Sequence, residues 1–88
     1  MIVEKKVWTY YFKKIRANHK HFEVRLADFR IKEGDTLVLK EWNNRRREYT
    51  GRYLKFKVGS VLKIPQDMKR FYTAEQMKKG FYVIELKK

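Results

Sequence analysis

The segment "NHKHFEVR", residues 18–25, concentrates side chains that can act as bases, metal ligands or phosphate contacts. His19 and His21 stand at i and i+2, so on a strand they face the same way, as metal ligands can. A stable metal site needs a third ligand, and the nearest one on that face is Glu23, which is also a candidate for an ion pair. Lys20 adds positive charge that opposes a cation. The pattern therefore favours exposed histidines beside a basic surface, and we expect no metal or other cofactor.

Lys20, Glu23 and Arg25 form a more plausible functional group. A lysine amine can act as a base or nucleophile, and a glutamate can orient water or accept a hydrogen bond from a base edge. The alternative is a Glu–Arg pair on an exposed strand, which contributes under about 1 kcal/mol. Both interpretations stay open at this point; if the protein is an enzyme, Lys20 and Glu23 are the expected catalytic pair.

A second basic segment, "NNRRRE", occupies residues 43–48. Glu48 cannot neutralise all three of its consecutive arginines, so these side chains are available to phosphates. The predicted nucleic-acid contacts outside residues 18–25 are Arg45, Arg46, Arg47, Arg52, Lys55, Lys57, Tyr10 and Tyr53. Trp42 and Tyr49 could join Tyr53 in stacking on bases, a mode that tolerates any base sequence. The alternative is a solvated tip with the aromatic rings, Trp42 above all, in the core.

The composition points in the same direction. The 88 residues include 23 Lys and Arg against 10 Asp and Glu, a net charge of +13. Such an excess favours a polyanionic partner, because phosphate neutralisation releases condensed counterions. A basic surface kept for solubility, or the lysine-rich habit of a thermophile, is the alternative. The sequence predicts a cytoplasmic protein that does not cross a membrane. It has no cysteine and no long apolar run, and lysines interrupt the short apolar stretch near its N-terminus.

The hydrophobic pattern predicts the elements that position these residues. A strand over 2–7 precedes a helix over 8–18, in which Trp8, Tyr11, Phe12 and Ile15 form one buried face. Thr9 is the expected N-cap and Asn18 the left-handed C-cap. Tyr10 lies off the buried face and is free to line a cleft.

From residue 20 the period becomes two, with Phe22 and Val24 on one face and Glu23 and Arg25 on the other. Strands are predicted over 20–26, 36–42, 49–64 and 81–86, joined by the Gly34-Asp35 turn, the arginine tip, and a loop from Pro65 followed by a helix that Thr73 caps and Gly80 ends. Along 49–64, Leu54, Phe56 and Val58 point inward, Tyr53, Lys55 and Lys57 point outward, and Gly59 marks a bulge. The order β-α-β-β-β-α-β predicts one α+β domain over 1–88, a mixed barrel.

Four segments together resemble the ASCH family, small domains of the PUA-like superfamily. Its G-x-K-x-x-E-x-R-like motif is similar to "NHKHFEVR", and "EGDTLVL", "EYTGR" and "FYVIEL" follow in the family order. The resemblance covers essentially the whole chain. Asn18 stands in place of the family glycine, and positions where relatives often carry histidine and arginine hold Val3 and Phe29.

The resemblance implies a PUA-like mixed β-barrel with one amphipathic N-terminal helix and one short C-terminal helix. Lys20 and Glu23 would lie near a cleft between the first helix and the sheet. Family members are usually regarded as RNA-binding or nucleotide-processing. We therefore expect a module that binds RNA or another single-stranded nucleic acid, with Lys20, Glu23 and Arg25 recognising a base or nucleotide. A hydrolase acting on 4-acetylcytidine or RNA is the rival class, and a scaffold for an acidic protein is a third.

Overall fold

The computed structural model describes residues 1–64 and 80–87, and within them the protein is a small α+β fold. The strands of these described residues form one five-stranded sheet in the order β1-β3-β4-β5-β2, curled into a half-barrel, with one helix. The elements are β1 (Ile2–Trp8), α1 (Thr9–Arg16), β2 (Phe22–Leu26), β3 (Thr36–Asn43), β4 (Glu48–Lys63) and β5 (Phe81–Lys87). The predicted loop from Pro65 and the helix capped by Thr73 lie outside the described residues.

The sheet is mixed, as predicted for this order of elements. β1 and β3 pair in parallel, whereas β3–β4, β4–β5 and β5–β2 are antiparallel. β1 and β2 therefore form the two edges of the described sheet. No helix in the described part of the chain is long and apolar enough to cross a membrane.

Helix α1 ends at Arg16 with Ala17 as its C-cap, one residue before the predicted position, and the left-handed conformation predicted for Asn18 is confirmed. Asn18 adopts a φ of 67°, and its backbone N–H donates to the carbonyl of Ile15 at 3.1 Å. The prediction that Thr9 caps the helix is wrong: Thr9 is the first helical residue, and Trp8 is the N-cap without a side-chain capping bond. The Thr9 hydroxyl lies 3.5 Å from the carbonyl oxygen of Trp42 instead.

The predicted buried face of α1 is only half correct. Phe12 and Ile15 are buried in the core, but Trp8 is 52% exposed and Tyr11 45%. The helix covers only one end of the sheet, so residues at its start border an opening rather than a second layer. Periodicity identifies the apolar face of a helix, but it does not show which residues of that face extend past the sheet against which the helix packs.

The core lies on the face of the sheet that α1 covers. Leu37, Leu39 and Ile84 are fully buried there, and the predicted inward orientation of Phe56 and Val58 is confirmed. Residues 53, 55 and 57 are exposed, again as predicted. The register between β4 and β5 shifts between Val58 and Val61, which confirms the bulge predicted at Gly59.

Strand β2 turns its charged face toward the interior. Glu23 is only 3% exposed and pairs in register with Ile84, whereas Phe22 and Val24 are about half exposed. A buried carboxylate requires compensating charges or hydrogen bonds. Glu23 on the edge strand β2 therefore needs positively charged partners.

Candidate functional site

A cleft of about 500 Å³ opens between the two edge strands, beside the start of α1. Its lining comes from three elements and the segment before β2: Lys6, Val7, Trp8, Tyr11, Lys20, Glu23, Val24 and Arg25. The guanidinium of Arg25 crosses the opening and donates from Nη2 to the backbone carbonyl of Lys6 at 2.6 Å. The cleft is therefore the gap left where the half-barrel does not close.

Glu23 organises the positive charges of this cleft. Its Oε1 accepts a hydrogen bond from Lys20 Nζ at 2.8 Å, and its Oε2 accepts one from Arg25 Nε at 2.8 Å. Lys20 precedes β2, and its position in the alternation is that of Phe22, on the opposite face from Glu23. Its long side chain nevertheless bends back to reach the Glu23 carboxylate. The three residues predicted as a functional group are thus in direct contact, and the alternative of an exposed Glu–Arg pair does not hold, because Glu23 is buried.

The two cations keep part of their surface in the cleft. The Lys20 side chain is 20% exposed and that of Arg25 25%, against 4% for the Glu23 side chain. The buried Glu23 carboxylate fixes the positions of Lys20 and Arg25 by accepting a hydrogen bond from each. Both cations keep further N–H groups that can donate to a ligand. The cleft therefore offers positioned hydrogen-bond donors rather than an open carboxylate.

Aromatic rings border the same cleft. Tyr11 lies with its ring centroid 5.2 Å from Lys20 Nζ, and Trp8 lines the opening from the end of β1. Tyr10, the tyrosine predicted to line it, is exposed but not among the lining residues; it packs edge-on against Tyr11 with the centroids 5.1 Å apart. Sequence reasoning assigned Trp8 and Tyr11 to the core and missed them, together with Lys6, as cleft residues.

A second charged cluster lies under the other side of α1. Glu41, 0% exposed, forms a two-pronged pair with Arg52: Nε to Oε1 at 2.6 Å and Nη2 to Oε2 at 3.0 Å. The Thr50 hydroxyl also donates to Oε1 at 2.6 Å. Burial alone raises the pKa of Glu41, but the hydrogen bonds from Arg52, Thr50 and Thr9 outweigh it and hold that pKa below its ordinary value.

This cluster changes the role available to Arg52. Its guanidinium, predicted to contact phosphate, is engaged by the Glu41 carboxylate, although its side chain is 50% exposed. Glu41 was not singled out from the sequence, because its partner is 11 positions away. An alternating strand pattern with a glutamate at an inward position is the signal that could have found it.

The predicted arginine tip forms the turn between β3 and β4. Asn43 Oδ1 accepts backbone hydrogen bonds from Arg45 at 3.0 Å and Arg46 at 3.1 Å, and Arg47 adopts a φ of 54°. All three arginine side chains are exposed. The weak contact of Arg46 with Glu48, at 3.7 Å, leaves the tip strongly positive.

The histidines stand apart from this chemistry. His19 and His21 are exposed, and no group of three His, Cys, Asp or Glu side chains in the described ranges is arranged to hold a metal ion.

Comparison with known proteins supplies a family. Residues 2–85 match the family described as a domain of unknown function, DUF3850. The chain belongs to this family. No curated protein sequence matches it. Among solved structures it is similar to the one titled "Crystal structure of hypothetical protein PH0355", with a TM-score of 0.71, 23% identity and coverage of 99% of this chain and 98% of that one. At this identity the likeness shows that the two proteins share a fold. The chemistry of the present chain must therefore be argued from its own side chains.

Proposed function

We propose that the protein binds RNA or another single-stranded nucleic acid and that its cleft receives one base or nucleotide. The resemblance of its motifs to the ASCH family of the PUA-like superfamily supports this function, and so does its net charge of +13. The observation that carries the proposal is the composition of the cleft: two positioned cations and two exposed aromatic rings around one opening.

Each part of the cleft suits a different part of a nucleotide. The rings of Trp8 and Tyr11 can stack on a base, while Lys20 and Arg25 donate hydrogen bonds to base oxygens or to a phosphate. Because Glu23 already holds both cations, little side-chain entropy is lost when they meet a ligand. The volume of about 500 Å³ falls within the range of small-ligand sites, which extends from roughly 300 to 1,000 Å³.

The arginine tip provides a separate contact to the backbone. The three arginines are exposed and barely neutralised, so they suit phosphates of any sequence. Base recognition in the cleft and backbone attraction at the tip would then be separable by mutation.

The test is a titration of fluorescently labelled single-stranded RNA, followed by anisotropy at several salt concentrations. With about five phosphates neutralised, log K should fall with log [salt] at a slope of about −3.5. Lys20→Ala should weaken binding at least about fivefold without much loss of thermal stability, because Arg25 remains on Glu23. The matched control is His19→Ala with His21→Ala, exposed neighbours that should bind like the wild type. No binding at low salt, or a flat salt response, refutes the proposal.

One observation favours a hydrolase as the second candidate. Lys20 Nζ and Glu23 Oε1 lie 2.8 Å apart in a cleft open to ligands, the geometry of a base or nucleophile beside a proton acceptor. If the cleft is catalytic, purified protein turns over 4-acetylcytidine or cleaves RNA, and Lys20→Ala and Glu23→Gln each abolish turnover. Their double variant should lose little more, as expected for groups that act together. Absence of turnover in the wild type leaves binding as the function.

A further inference from the structure

The face of β1, β3 and β4 that points away from α1, here called the outer sheet face, is strongly basic. It carries Lys6, Lys40, Lys55 and Lys57, and its one acidic residue is Glu4, in the exposed pair with Lys40 at 4.0 Å. The register places these lysines on three adjacent strands rather than in one row. The positive charge of this face is therefore spread over three adjacent strands.

Aromatic rings lie on the same face, next to these lysines. Trp8, Trp42 and Tyr49 lie side by side across the three strands, and Tyr53 follows in the next row, directly opposite Lys40. Tyr53 is 57% exposed, and Trp42 packs edge-on against Tyr49 with the centroids 4.9 Å apart. Large rings left in contact with water on a sheet are a liability unless a ligand covers them.

The lysines and rings are in contact with each other. Lys6 Nζ lies 4.0 Å from the Trp42 ring centroid, and Lys40 Nζ lies 4.7 Å from that of Tyr49. A base stacked on such a ring would therefore bring its own phosphate close to an ammonium group. A groove of about 320 Å³ lies on the same face, with Val38, Lys40, Tyr53 and Lys55 among its lining residues.

The outer sheet face is continuous with the cleft. Lys6 and Trp8 line the cleft and also belong to this face, because β1 is the edge strand over which the two surfaces meet. At the same end, Trp42 and Tyr49 lie next to the arginine tip. A chain leaving the cleft over β1 would reach the rings first and the lysines next.

We infer that the outer sheet face is a platform for single-stranded nucleic acid, extending the strand whose base or nucleotide occupies the cleft. This inference rests on the proposed function. Phosphates match the lysines, and unpaired bases match the rings, which paired bases cannot reach. An acidic peptide would satisfy the lysines alone and leave the rings without a stacking partner.

Two pairs of variants test the platform against a ten-nucleotide single-stranded RNA. Tyr53→Ala should weaken binding about 5- to 150-fold, the effect of losing one stacked base, while Tyr53→Phe, which keeps the ring, should bind like the wild type. Lys55→Gln with Lys57→Gln should make the log–log salt slope shallower by about 1.4, two phosphate contacts. Lys13→Gln with Lys32→Gln removes the same charge from exposed positions outside this face and should leave the slope within about 0.3 of the wild type.

The same variants measured with a mononucleotide separate this inference from the function on which it rests. The platform predicts that Tyr53→Ala alters affinity for the ten-mer and not for the mononucleotide. If the wild type binds the ten-mer but both outer-face variants behave like their controls, the platform is refuted and the cleft proposal stands. Equal affinity for a duplex or for polyglutamate also overturns the platform. If the wild type binds no oligonucleotide, both proposals fail.

Discussion

Replacing Arg52 by methionine should destabilise the fold through Glu41, even though Arg52 is itself half exposed. Glu41 is 0% exposed and accepts two hydrogen bonds from the guanidinium. Removing one partner of a buried ion pair costs about 3–5 kcal/mol, because the remaining charge is left uncompensated. Water can reach the space that a half-exposed arginine vacates, and Thr50 still donates to Glu41, so we expect about 2 kcal/mol at pH 7. For a chain of this size that loss lowers Tm by about 8–16 °C.

The destabilisation should depend on pH with a definite sign. In the wild type the pKa of Glu41 lies below its ordinary value of 4.5, so the stabilising charge is fully present above that pH and is lost as pH falls through the folded-state pKa. Without Arg52, burial dominates and raises this pKa, so the variant gains stability relative to the wild type as Glu41 is protonated. The stability difference between the two proteins should therefore narrow from pH 7 to pH 4.

Urea unfolding followed by tryptophan fluorescence at pH 4, 5.5 and 7 measures this difference. Arg45→Met is the matched control, because it removes the same charge from the exposed tip and should change stability by less than about 0.5 kcal/mol. Glu41→Gln combined with Arg52→Met should recover part of the loss, since no buried charge remains. A cost for Arg52→Met below about 1 kcal/mol that does not change with pH would show that Glu41 does not depend on Arg52.

Two further predictions concern the tip and the turn before β3. Replacing the three arginines of residues 45–47 by alanine should weaken binding about equally for all RNA sequences while keeping Tm, and wild-type affinity would place the phosphate contact elsewhere. The pKa of Asp35 is lowered, chiefly by the hydrogen bond from the Lys32 backbone N–H, so its charge stabilises the fold above about pH 3.8 and is lost below it. Asp35→Asn should therefore be less stable than the wild type at pH 7, with the gap closing toward pH 3 in the same unfolding assay; a constant gap contradicts this role.

Local features of the fold were predictable because the residues that specify them are close in sequence. The end of α1 follows from the ability of Asn18 to adopt a positive φ. The bulge was predictable from Gly59, because a glycine inside a strand pattern often marks a bulge, and the register shifts at this position. The contact of Lys20 with Glu23 was predictable for the same reason, because the two residues are three positions apart and the lysine side chain is long and flexible.

The remaining features depend on residues that are distant in sequence. Trp8 and Tyr11 continue the apolar periodicity of α1, and only the position of the opening beside them leaves them exposed. Glu41 follows Lys40, which pairs with Tyr53, so the antiparallel register places Arg52 opposite Glu41 although the two are 11 positions apart in sequence. No local pattern in the sequence encodes either arrangement, which is why reasoning from periodicity placed two rings in the core and did not identify Glu41 as the partner of Arg52.

The position of β2 in the sheet has a consequence for biosynthesis. Lys20, Glu23 and Arg25 belong to the first third of the chain, yet within the described sheet β2 pairs with β5 alone. Synthesis proceeds from the N-terminus, so β2 cannot form its pairing with β5 until residues 81–87 have been translated. Such distant pairing slows folding, because loop closure must precede the contacts that offset its entropy. A chain truncated before β5 should therefore lack an assembled cleft, although every residue that lines the cleft would be present in it.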